Sequence, residues 1–294
     1  MKLGIIGGTG LYDLVGLHDR QTVAVETPFG APSEPYQHGK LGGLEVYFLA
    51  RHGHGHHIMP SELNHRANIF GFKKLGVERI IGVSAVGSLR EDLRPRDVCL
   101  PDQYFDRTKH STEHTFFGKG LIAHVAFADP VCPDLRHHLY SVTQEIVTGD
   151  ARFQNQRVQN GGTYVNMEGP AFSTRAESLY YRRFGFDVIG MTNLGEAKLC
   201  REAEICYASL CLVTDYDCWH ESEETVSVEM VLSHLKANAG LAGEILRRMA
   251  RRLENTPASC ACSRALENTI VTRPNAIPKE RIKELAPIVG KYLK

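Results

Sequence analysis

The sequence predicts a single α/β domain with a central β-sheet flanked by helices. Short apolar runs that end in glycine or polar residues alternate with longer segments of helical hydrophobic periodicity. The chain has 294 residues, of which 43% are hydrophobic, so it is long enough to bury a sizeable core. We expect residues 1–254 to form the main domain and residues 255–294 to form an irregular segment and a C-terminal helix that pack on it.

Composition and charge exclude several classes of partner. Lys and Arg together number 34, as do Asp and Glu, so the chain lacks the excess positive charge that nucleic acid binding requires. No apolar run approaches the roughly 18 residues of a membrane span, and the apolar N-terminal stretch is too short for a secretory signal. We therefore expect a cytoplasmic protein that binds neither nucleic acid nor membrane, with its eight cysteines reduced.

Local sequence patterns place the individual elements. Pro60 and Gly76 bracket one predicted helix, and Thr174 with Glu177 forms the capping box of another. Residues 105–120 are polar and glycine-punctuated, which predicts a surface excursion. Strands are predicted at 3–6, 44–50, 79–83, 98–104, 163–167, 188–191 and 205–213, and helices at 61–75, 133–147, from 174, 194–204, from 227 and 279–292.

Two carboxylates follow the most apolar of the predicted strands. Asp215 and Asp217 come directly after the run that ends at Val213, where an extended backbone would point both side chains to one face. Ligands of open α/β sheets bind at the carboxyl ends of strands. Two carboxylates that share a poorly hydrated site cannot both ionise cheaply, so one would keep a proton and could donate it to a ring nitrogen. The alternative is a solvated pair at an ordinary strand-to-loop turn.

Glycines and small residues follow two other strands. Backbone amides of the turn at residues 7–10 could bind an anion. The glycines could equally be present only because the turn requires a positive φ. The turn matches no standard nucleotide-binding fingerprint. The small side chains of residues 84–88 would let a ligand approach the backbone.

Thr192 and Phe172 are two further candidates for ligand contacts. Thr192 follows another short strand, and its hydroxyl could donate to a sugar or phosphate oxygen. Phe172 lies on a predicted loop, where it could stack on a flat ligand or pack into the core.

Arg51 and His52 follow the strand at 44–50 and open a histidine-rich stretch. Histidines at positions 52, 54, 56 and 57 suggest a metal site, but neither an HExxH pattern nor a histidine pair backed by a carboxylate is present. A guanidinium beside an imidazole suits a phosphate better, because arginine binds oxyanions with two parallel hydrogen bonds. We therefore expect an anion site here and no metal.

Several blocks in the same order resemble the purine nucleoside phosphorylase family, from Gly4 to about Met249. The similarity is closest to the members that act on methylthioadenosine. The matching blocks are Gly4–Leu11, Arg51–Gly53, Ile58–Ser61, Gly87–Arg90, Asp102–Gln103, Asp106–Thr108, Glu168–Pro170 and Thr214–Trp219. The resemblance implies a central mixed β-sheet flanked by helices. It also implies a pentosyltransferase that uses inorganic phosphate to cleave methylthioadenosine into adenine and methylthioribose 1-phosphate, in methionine and purine salvage, without a cofactor.

The resemblance also implies roles for individual residues. Asp215 and Asp217 would recognise adenine through N7 and the exocyclic amine, and a proton from this pair would assist the leaving base. His124 would reach the active site of a neighbouring subunit in a homotrimer or a hexamer of trimers. The implied phosphate ligands are Thr9, Arg51, His52, Ser84, Ala85 and Thr192, and the implied nucleoside contacts are Met191, Phe172, Ser173 and Val228.

The chain departs from the family pattern at several positions. Ala171 and His54 stand at two positions where the family often has arginine. Leu194-Gly195-Glu196 replaces the more usual Val-Pro-Glu. Cys260-Ala-Cys262 resembles an element that forms disulfides in heat-stable relatives.

Two other functions stay open. The first is a phosphorylase for 6-oxopurine nucleosides or methylthioinosine, whose base site would need an amide that donates to O6. The second is a nucleoside-binding protein without turnover.

Overall fold

The computed structural model describes residues 1–8, 10–11, 14–109, 113–220 and 228–293, without the side chains of residues 228–233 and 236. Its centre is a mixed β-sheet with helices on both faces, as predicted. The strands are β1 Lys2–Gly7, β2 His18–Val23, β3 Tyr36–Leu41, β4 Leu44–Ala50, β5 Arg79–Ser88, β6 Val98–Leu100, β7 Gln103–Arg107, β8 Val158–Asn160, β9 Thr163–Met167, β10 Val188–Gly190 and β11 Cys206–Asp215. The helices are α1 His65–Lys74, α2 Pro133–Gly149, α3 Arg175–Arg183, α4 Asn193–Glu202, α5 Val228–Glu254, α6 Lys279–Glu284 and α7 Ala286–Val289.

Strand β5 is the branch point of the sheet. Its first half pairs in parallel with β1, ending where Gly7 meets Val83, and its last residues pair with the antiparallel strand β10. On the opposite edge, β11 runs parallel to β5 along nearly its whole length. Residues 84–86 therefore have no strand partner on the β1 and β10 side among the described residues. The sheet opens at this point, and backbone groups of β5 are left accessible to a ligand.

Apolar side chains from both sheet faces form the core. Helices α2 and α5 cover one face, where Leu139 and Leu246 pack against Leu210 of β11. Helices α1 and α4 cover the other face. Leu266 and Leu285, from the C-terminal segment, are buried in this second cluster, and the domain boundary at residue 254 stays a prediction. None of the helices in the described part of the chain is both long and apolar enough to cross a membrane.

Most predicted elements are present, and the differences have local causes. The helix predicted from residue 61 starts at His65, because the Asn64 side chain accepts a hydrogen bond from Ala67 N and caps it there. The strand predicted at 79–83 is longer than expected, because the small residues that follow Val83 continue β5 to Ser88. The surface excursion predicted at 105–120 is partly wrong, because residues 103–107 form β7 and Phe116 is fully buried. The predicted C-terminal helix divides at Leu285 into α6 and α7.

Candidate functional site

Arg51 lies at the carboxyl end of β4 and is almost completely buried. Its Nε and Nη2 donate to the two carboxylate oxygens of Glu196 on α4, at 2.5 and 3.1 Å, and its Nη1 donates to Val83 O at 2.9 Å. Although burial opposes the charged form, the Glu196 carboxylate raises the pKa of Arg51. A second N–H remains on Nη1 and on Nη2, so the outer edge of the guanidinium keeps donors for an anion.

Gly8 explains how the first turn approaches this arginine. A side chain at Gly8 would lie 2.6 Å from Arg51 Nη1 and from Val83 O, and 3.4 Å from Ser84 Cα. Only glycine permits this close approach of the chain. The turn after β1, the end of β4 and the open part of β5 therefore meet at one place.

A buried hydrogen-bond network joins three of the predicted residues. Asn193 Oδ1 accepts from Ser84 Oγ at 2.6 Å and from Thr192 Oγ1 at 3.1 Å. Asn193 Nδ2 donates to Ser209 Oγ, which donates to Tyr207, and the Tyr207 hydroxyl donates to Glu196 Oε2 at 2.7 Å. The network therefore links both hydroxyls to the carboxylate that holds Arg51.

Thr192 reaches this network because β10 runs antiparallel to β5. Val188 pairs with Ser88 and Ile189 with Gly87, so the chain after β10 returns alongside the opening at residues 84–86. Thr192 is the N-cap residue of α4. Asn166 fixes the turn, because it donates to Met191 O at 3.1 Å and accepts from Leu194 N at 3.0 Å. The N-terminus of α4 thus lies beside the opening.

His52 is neutral near pH 7 in this arrangement. Burial and the adjacent Arg51 guanidinium lower the pKa of His52 to about 4. Its Nδ1 donates to Ile58 O at 2.8 Å, which leaves Nε2 as an acceptor, and its ring stacks on His56. His54 pairs with Glu34 and His57 Nδ1 with His54 O, so the histidines of this stretch have separate partners.

Asp215 and Asp217 are both buried, but the geometry expected for them is wrong in one respect. Strand β11 ends at Asp215, and Asp217 has a φ of +54°, so the two do not follow an extended i, i+2 pattern. Instead, Asp217 N donates to Asp215 Oδ1 at 2.8 Å, which turns the second carboxylate back beside the first. A side chain at Gly87 would lie 2.8 Å from Asp215 Oδ1, so this glycine makes room for the pair.

The two carboxylates differ in their remaining contacts. Asp215 Oδ2 accepts from Thr214 Oγ1 at 2.7 Å, and the same hydroxyl lies 3.3 Å from Val86 O. Asp217 Oδ2 has no hydrogen-bond partner in the described part of the chain although it is buried. Burial raises the pKa of both carboxyls, and the charge of Asp215 adds to the effect on Asp217. The pair can therefore keep a proton at a pH where ordinary aspartates are ionised.

The loop at residues 168–174 lies beside these groups. A side chain at Gly169 would lie 2.6 Å from Met191 Sδ, and Ser173 O accepts from Cys218 Sγ at 3.2 Å. Phe172 is 49% exposed, so this loop aromatic is not part of the core. The loop therefore contacts both the turn at Met191 and the segment that follows Asp217.

Two predicted side chains are not described by the structure, and a third, that of His124, lies apart from this group. Thr9 and the side chain of Val228 lie outside what the structure describes. The His124 side chain is exposed, and its backbone N donates to Thr269 O in the C-terminal segment. Among the described residues, His124 makes no hydrogen bond with the other predicted site residues.

The sequence profile of the phosphorylase superfamily matches residues 2–251. The chain belongs to the phosphorylase superfamily. It is 52% identical to the S-methyl-5'-thioadenosine phosphorylase of Geobacter sulfurreducens, over 99% of both chains, and 51% identical to that of Koribacter versatilis, over 99% of this chain and 96% of the other. It also resembles the crystal structure of a methylthioadenosine phosphorylase from an antarctic soil metagenomic library, with 44% identity and a TM-score of 0.90 over 97% of this chain and 98% of that one.

A more distant solved relative is the methylthioadenosine phosphorylase of Schistosoma mansoni in complex with adenine. It is 33% identical, with a TM-score of 0.86 over 92% of this chain and 99% of that chain. The predicted fold class and family are therefore confirmed. The roles assigned to individual residues stay predictions.

Sequence reasoning missed the residues that hold the phosphorylase site together: Glu196, Asn193, Asn166, Tyr207 and Ser209. Signals for some of them were present. Tyr207 and Ser209 are polar residues at alternate positions of an otherwise apolar strand, which places the two on one face of it. Glu196 stands four residues after Thr192, on the same face of the helix that Thr192 caps.

The structure shows what surrounds Gly195 in the Leu194-Gly195-Glu196 sequence, which departs from the family pattern. A side chain at Gly195 would lie 2.9 Å from His114 Nε2 and 3.1 Å from His65 Cδ2, and both imidazoles are buried. In this member of the superfamily, two histidine rings thus occupy the space beside the first turn of α4. These two rings therefore pack against the helical turn that carries Glu196.

Proposed function

We propose that this protein catalyses the phosphorolysis of S-methyl-5′-thioadenosine to adenine and S-methyl-5-thio-α-D-ribose 1-phosphate. Full-length relatives with about half of their residues identical carry the name of this activity. The structural observation that carries the proposal is one opening in the sheet with anion donors at one end and a buried, proton-retaining carboxyl pair at the other. Phosphate is a co-substrate, and no cofactor takes part.

Phosphate binds at the opening beside residues 84–86 in this proposal. The outer N–H groups of Arg51, the hydroxyls of Ser84 and Thr192, and the backbone of Ala85 surround it, with Thr9 completing the set. Glu196 cancels the charge of Arg51, and His52 is neutral in the free protein. The site therefore relies on directed hydrogen bonds more than on net positive charge, and His52 Nε2 can accept a hydrogen bond from a protonated phosphate oxygen.

The base binds at the Asp215 and Asp217 end. Asp217 Oδ2 is an unpaired acceptor that suits the exocyclic amine of adenine, whereas the O6 of a 6-oxopurine would be repelled. Asp215 supplies the proton to N7. The Thr214 hydroxyl lies within reach of both Val86 O and Asp215 Oδ2, so it can donate to Val86 O while Asp215 is protonated and turn to Asp215 Oδ2 once that carboxylate is ionised. Phe172 and Ser173 border the base and Met191 lies against the ribose, and the family resemblance assigns Val228 to the methylthio group.

The chemistry follows from these positions. As the bond between C1′ and N9 stretches, the sugar gains oxocarbenium character and the base gains negative charge. The phosphate oxygens stabilise the positive carbon and then bond to it. The carboxyl proton neutralises the leaving adenine at N7. Each charge that develops has an opposing group at its own end of the opening.

A product assay tests this function. Methylthioadenosine, adenosine, methylthioinosine and inosine are incubated in parallel, with and without phosphate and with and without EDTA. We expect adenine and a sugar 1-phosphate from methylthioadenosine only when phosphate or arsenate is present, whether or not EDTA is added. Preferential cleavage of the 6-oxopurines would favour the rival phosphorylase. Substrate binding without turnover would favour a binding protein, and rescue of an EDTA-treated sample by a divalent metal would overturn the metal-free mechanism.

We also propose that the protein is a homotrimer, or a hexamer of trimers, in which His124 completes a neighbouring active site. Large apolar side chains are exposed beside His124 and near the active-site loop, as is common at protein interfaces. They are Ile122, Val271, Phe172, Leu179, Tyr180 and Phe184. Sedimentation of the active enzyme tests this proposal, and a fully active monomer would contradict it.

We propose a cytoplasmic location for the enzyme. All eight cysteines lie among the described residues and are free thiols, which a reducing compartment maintains.

A further inference from the structure

Four cysteines gather at the end of the sheet opposite the proposed active site. Cys132, Cys206, Cys260 and Cys262 come from three separate parts of the chain, yet their sulfur atoms all lie within 4.8 Å of one another. Three of the four residues are buried, and Cys260 is partly buried. Such a cluster needs an explanation, because close packing of small apolar side chains does not require four thiols to converge on one point.

The spacing of the sulfurs matches a tetrahedral metal site. Zinc holds thiolates at about 2.3 Å, which places neighbouring sulfurs about 3.8 Å apart. Cys206 Sγ and Cys260 Sγ are 3.3 Å apart, and no pair in the cluster exceeds 4.8 Å. We propose that these four cysteines form a structural zinc site. The proposal revises the sequence-based expectation of no metal, which concerned the histidines.

The surroundings of the cluster suit a group with excess negative charge, as zinc with four thiolates has. Cys132 is the N-cap residue of α2, and its sulfur accepts from Leu135 N at 3.4 Å, so it lies at the positive end of a helix of 17 residues. Arg79 pairs in register with Cys206 on the adjacent strand, which puts both side chains on one face of the sheet. Arg79 is 1% exposed, and although its Nη2 lies 3.7 Å from Asp134 Oδ2 and donates to Thr256 O, its Nη1 has no hydrogen-bond partner within the described residues.

The position of the cluster assigns it a structural role. Cys206 begins β11 and Asp215 ends it, so the two lie about 30 Å apart along the strand. Cys132 belongs to α2, and Cys260 with Cys262 belongs to the segment after α5. One ion would tie this C-terminal segment to the sheet and to α2. Metal loss should therefore lower thermal stability and leave the chemistry at Asp215 intact, so the turnover expected in EDTA is compatible with this site.

Metal analysis of the purified full-length enzyme tests the proposal. The enzyme is expressed in zinc-supplemented medium, purified under reducing conditions and examined by elemental analysis and by native mass spectrometry. We expect about one zinc per chain in the wild type and in Cys200→Ser, a matched control at a buried cysteine outside the cluster. Cys132→Ser and Cys262→Ser should lose most of the zinc and unfold at a lower temperature.

Cobalt titration keeps the test decisive if the serine variants fail to fold. The wild-type enzyme, freed of metal by a thiol-compatible chelator, should bind one equivalent of Co²⁺ with the sulfur-to-cobalt charge-transfer band and the intense visible bands of a tetrahedral thiolate site. Wild-type enzyme that is purified without metal and gives no such spectrum would overturn the proposal. A thiol count and intact mass showing that the four cysteines form two disulfides would also overturn it.

Discussion

The proposed phosphate side and the proposed base side of the active site differ in how completely the chain satisfies their polar groups. On the phosphate side, Arg51, Ser84 and Thr192 are joined through Glu196 and Asn193 into one buried network. On the base side, Asp217 keeps an unpaired buried oxygen. The first arrangement contributes to the fold as well as to binding, whereas the second costs stability until a ligand pairs with it. Substitutions on the two sides should therefore separate effects on stability from effects on catalysis.

The largest effect is expected for Glu196→Gln, on the phosphate side. The change leaves the buried Arg51 guanidinium without its carboxylate, which typically costs about 3–5 kcal/mol of unfolding free energy. Arg51 would also lose its fixed orientation, so the phosphate KM should rise roughly tenfold or more. Denaturant unfolding and phosphate saturation kinetics measure the two effects.

Glu202→Gln is the matched control for that change. Glu202 is buried on the same helix, but it accepts from Thr115 Oγ1 and Phe116 N and has no arginine partner. Burial raises the pKa of Glu202 to about 7, so its carboxyl is already partly neutral at that pH. We expect a smaller loss of stability and an unchanged phosphate KM. Equal effects of the two substitutions would show that Glu196 acts only as a buried polar residue.

Asp215→Ala, on the base side, should give the second largest effect, and it should appear in kcat. Without the carboxyl proton, adenine leaves as an anion, so kcat for methylthioadenosine should fall by roughly 10²-fold or more. The melting temperature should fall only modestly, because the loss of the hydrogen bond from Asp217 N is partly offset by the removal of a poorly solvated carboxyl. A kcat within a few-fold of wild type would exclude Asp215 as the acid.

The pH dependence of kcat gives a second test of the same residue. Because burial raises the pKa of both carboxyls, the wild-type enzyme should keep its protonated form to higher pH than ordinary aspartates and lose activity as the pH rises further. In Asp215→Ala this alkaline decline should be absent or displaced.

His52, on the proposed phosphate side, should make the free energy of unfolding depend on pH in the acid range. Its pKa in the folded chain is about 4, below the value of about 6.5 in the unfolded chain. The unfolded chain therefore binds a proton that the folded chain does not, so this stabilisation is complete above pH 6.5 and is lost as the pH falls toward 4. In His52→Asn, whose amide can still donate to Ile58 O, the unfolding free energy should fall by about 2 kcal/mol less than in the wild type between pH 7 and 5. Urea unfolding at both pH values checks this, and equal losses would contradict it.

Periodicity and resemblance predicted the fold class and most elements, but not how the site is assembled. Asp215 and Asp217 were expected together because of an extended strand, yet a hydrogen bond from Asp217 N to Asp215 brings them together. Thr192 was placed after a strand, but it reaches Ser84 only because β10 runs antiparallel to β5, and short apolar runs do not encode their direction. Glu196 and Asn193 act across more than 100 residues of sequence, a separation that local patterns cannot detect.

The smallest and most specific effect is expected for Asp217→Asn. In the proposed site, the unpaired Oδ2 of Asp217 would accept from the exocyclic amine of adenine and repel the O6 of a 6-oxopurine, whereas an asparagine amide can donate to O6. The ratio of kcat/KM for methylthioinosine to that for methylthioadenosine should therefore rise about tenfold, with little change in stability. Because Asp215 accepts from Asp217 N, the two substitutions will not act independently, and the double variant should show less than the combined effect. An unchanged ratio in Asp217→Asn, together with a normal kcat in Asp215→Ala, would mean that this pair does not recognise the base and that the unpaired oxygen serves another ligand.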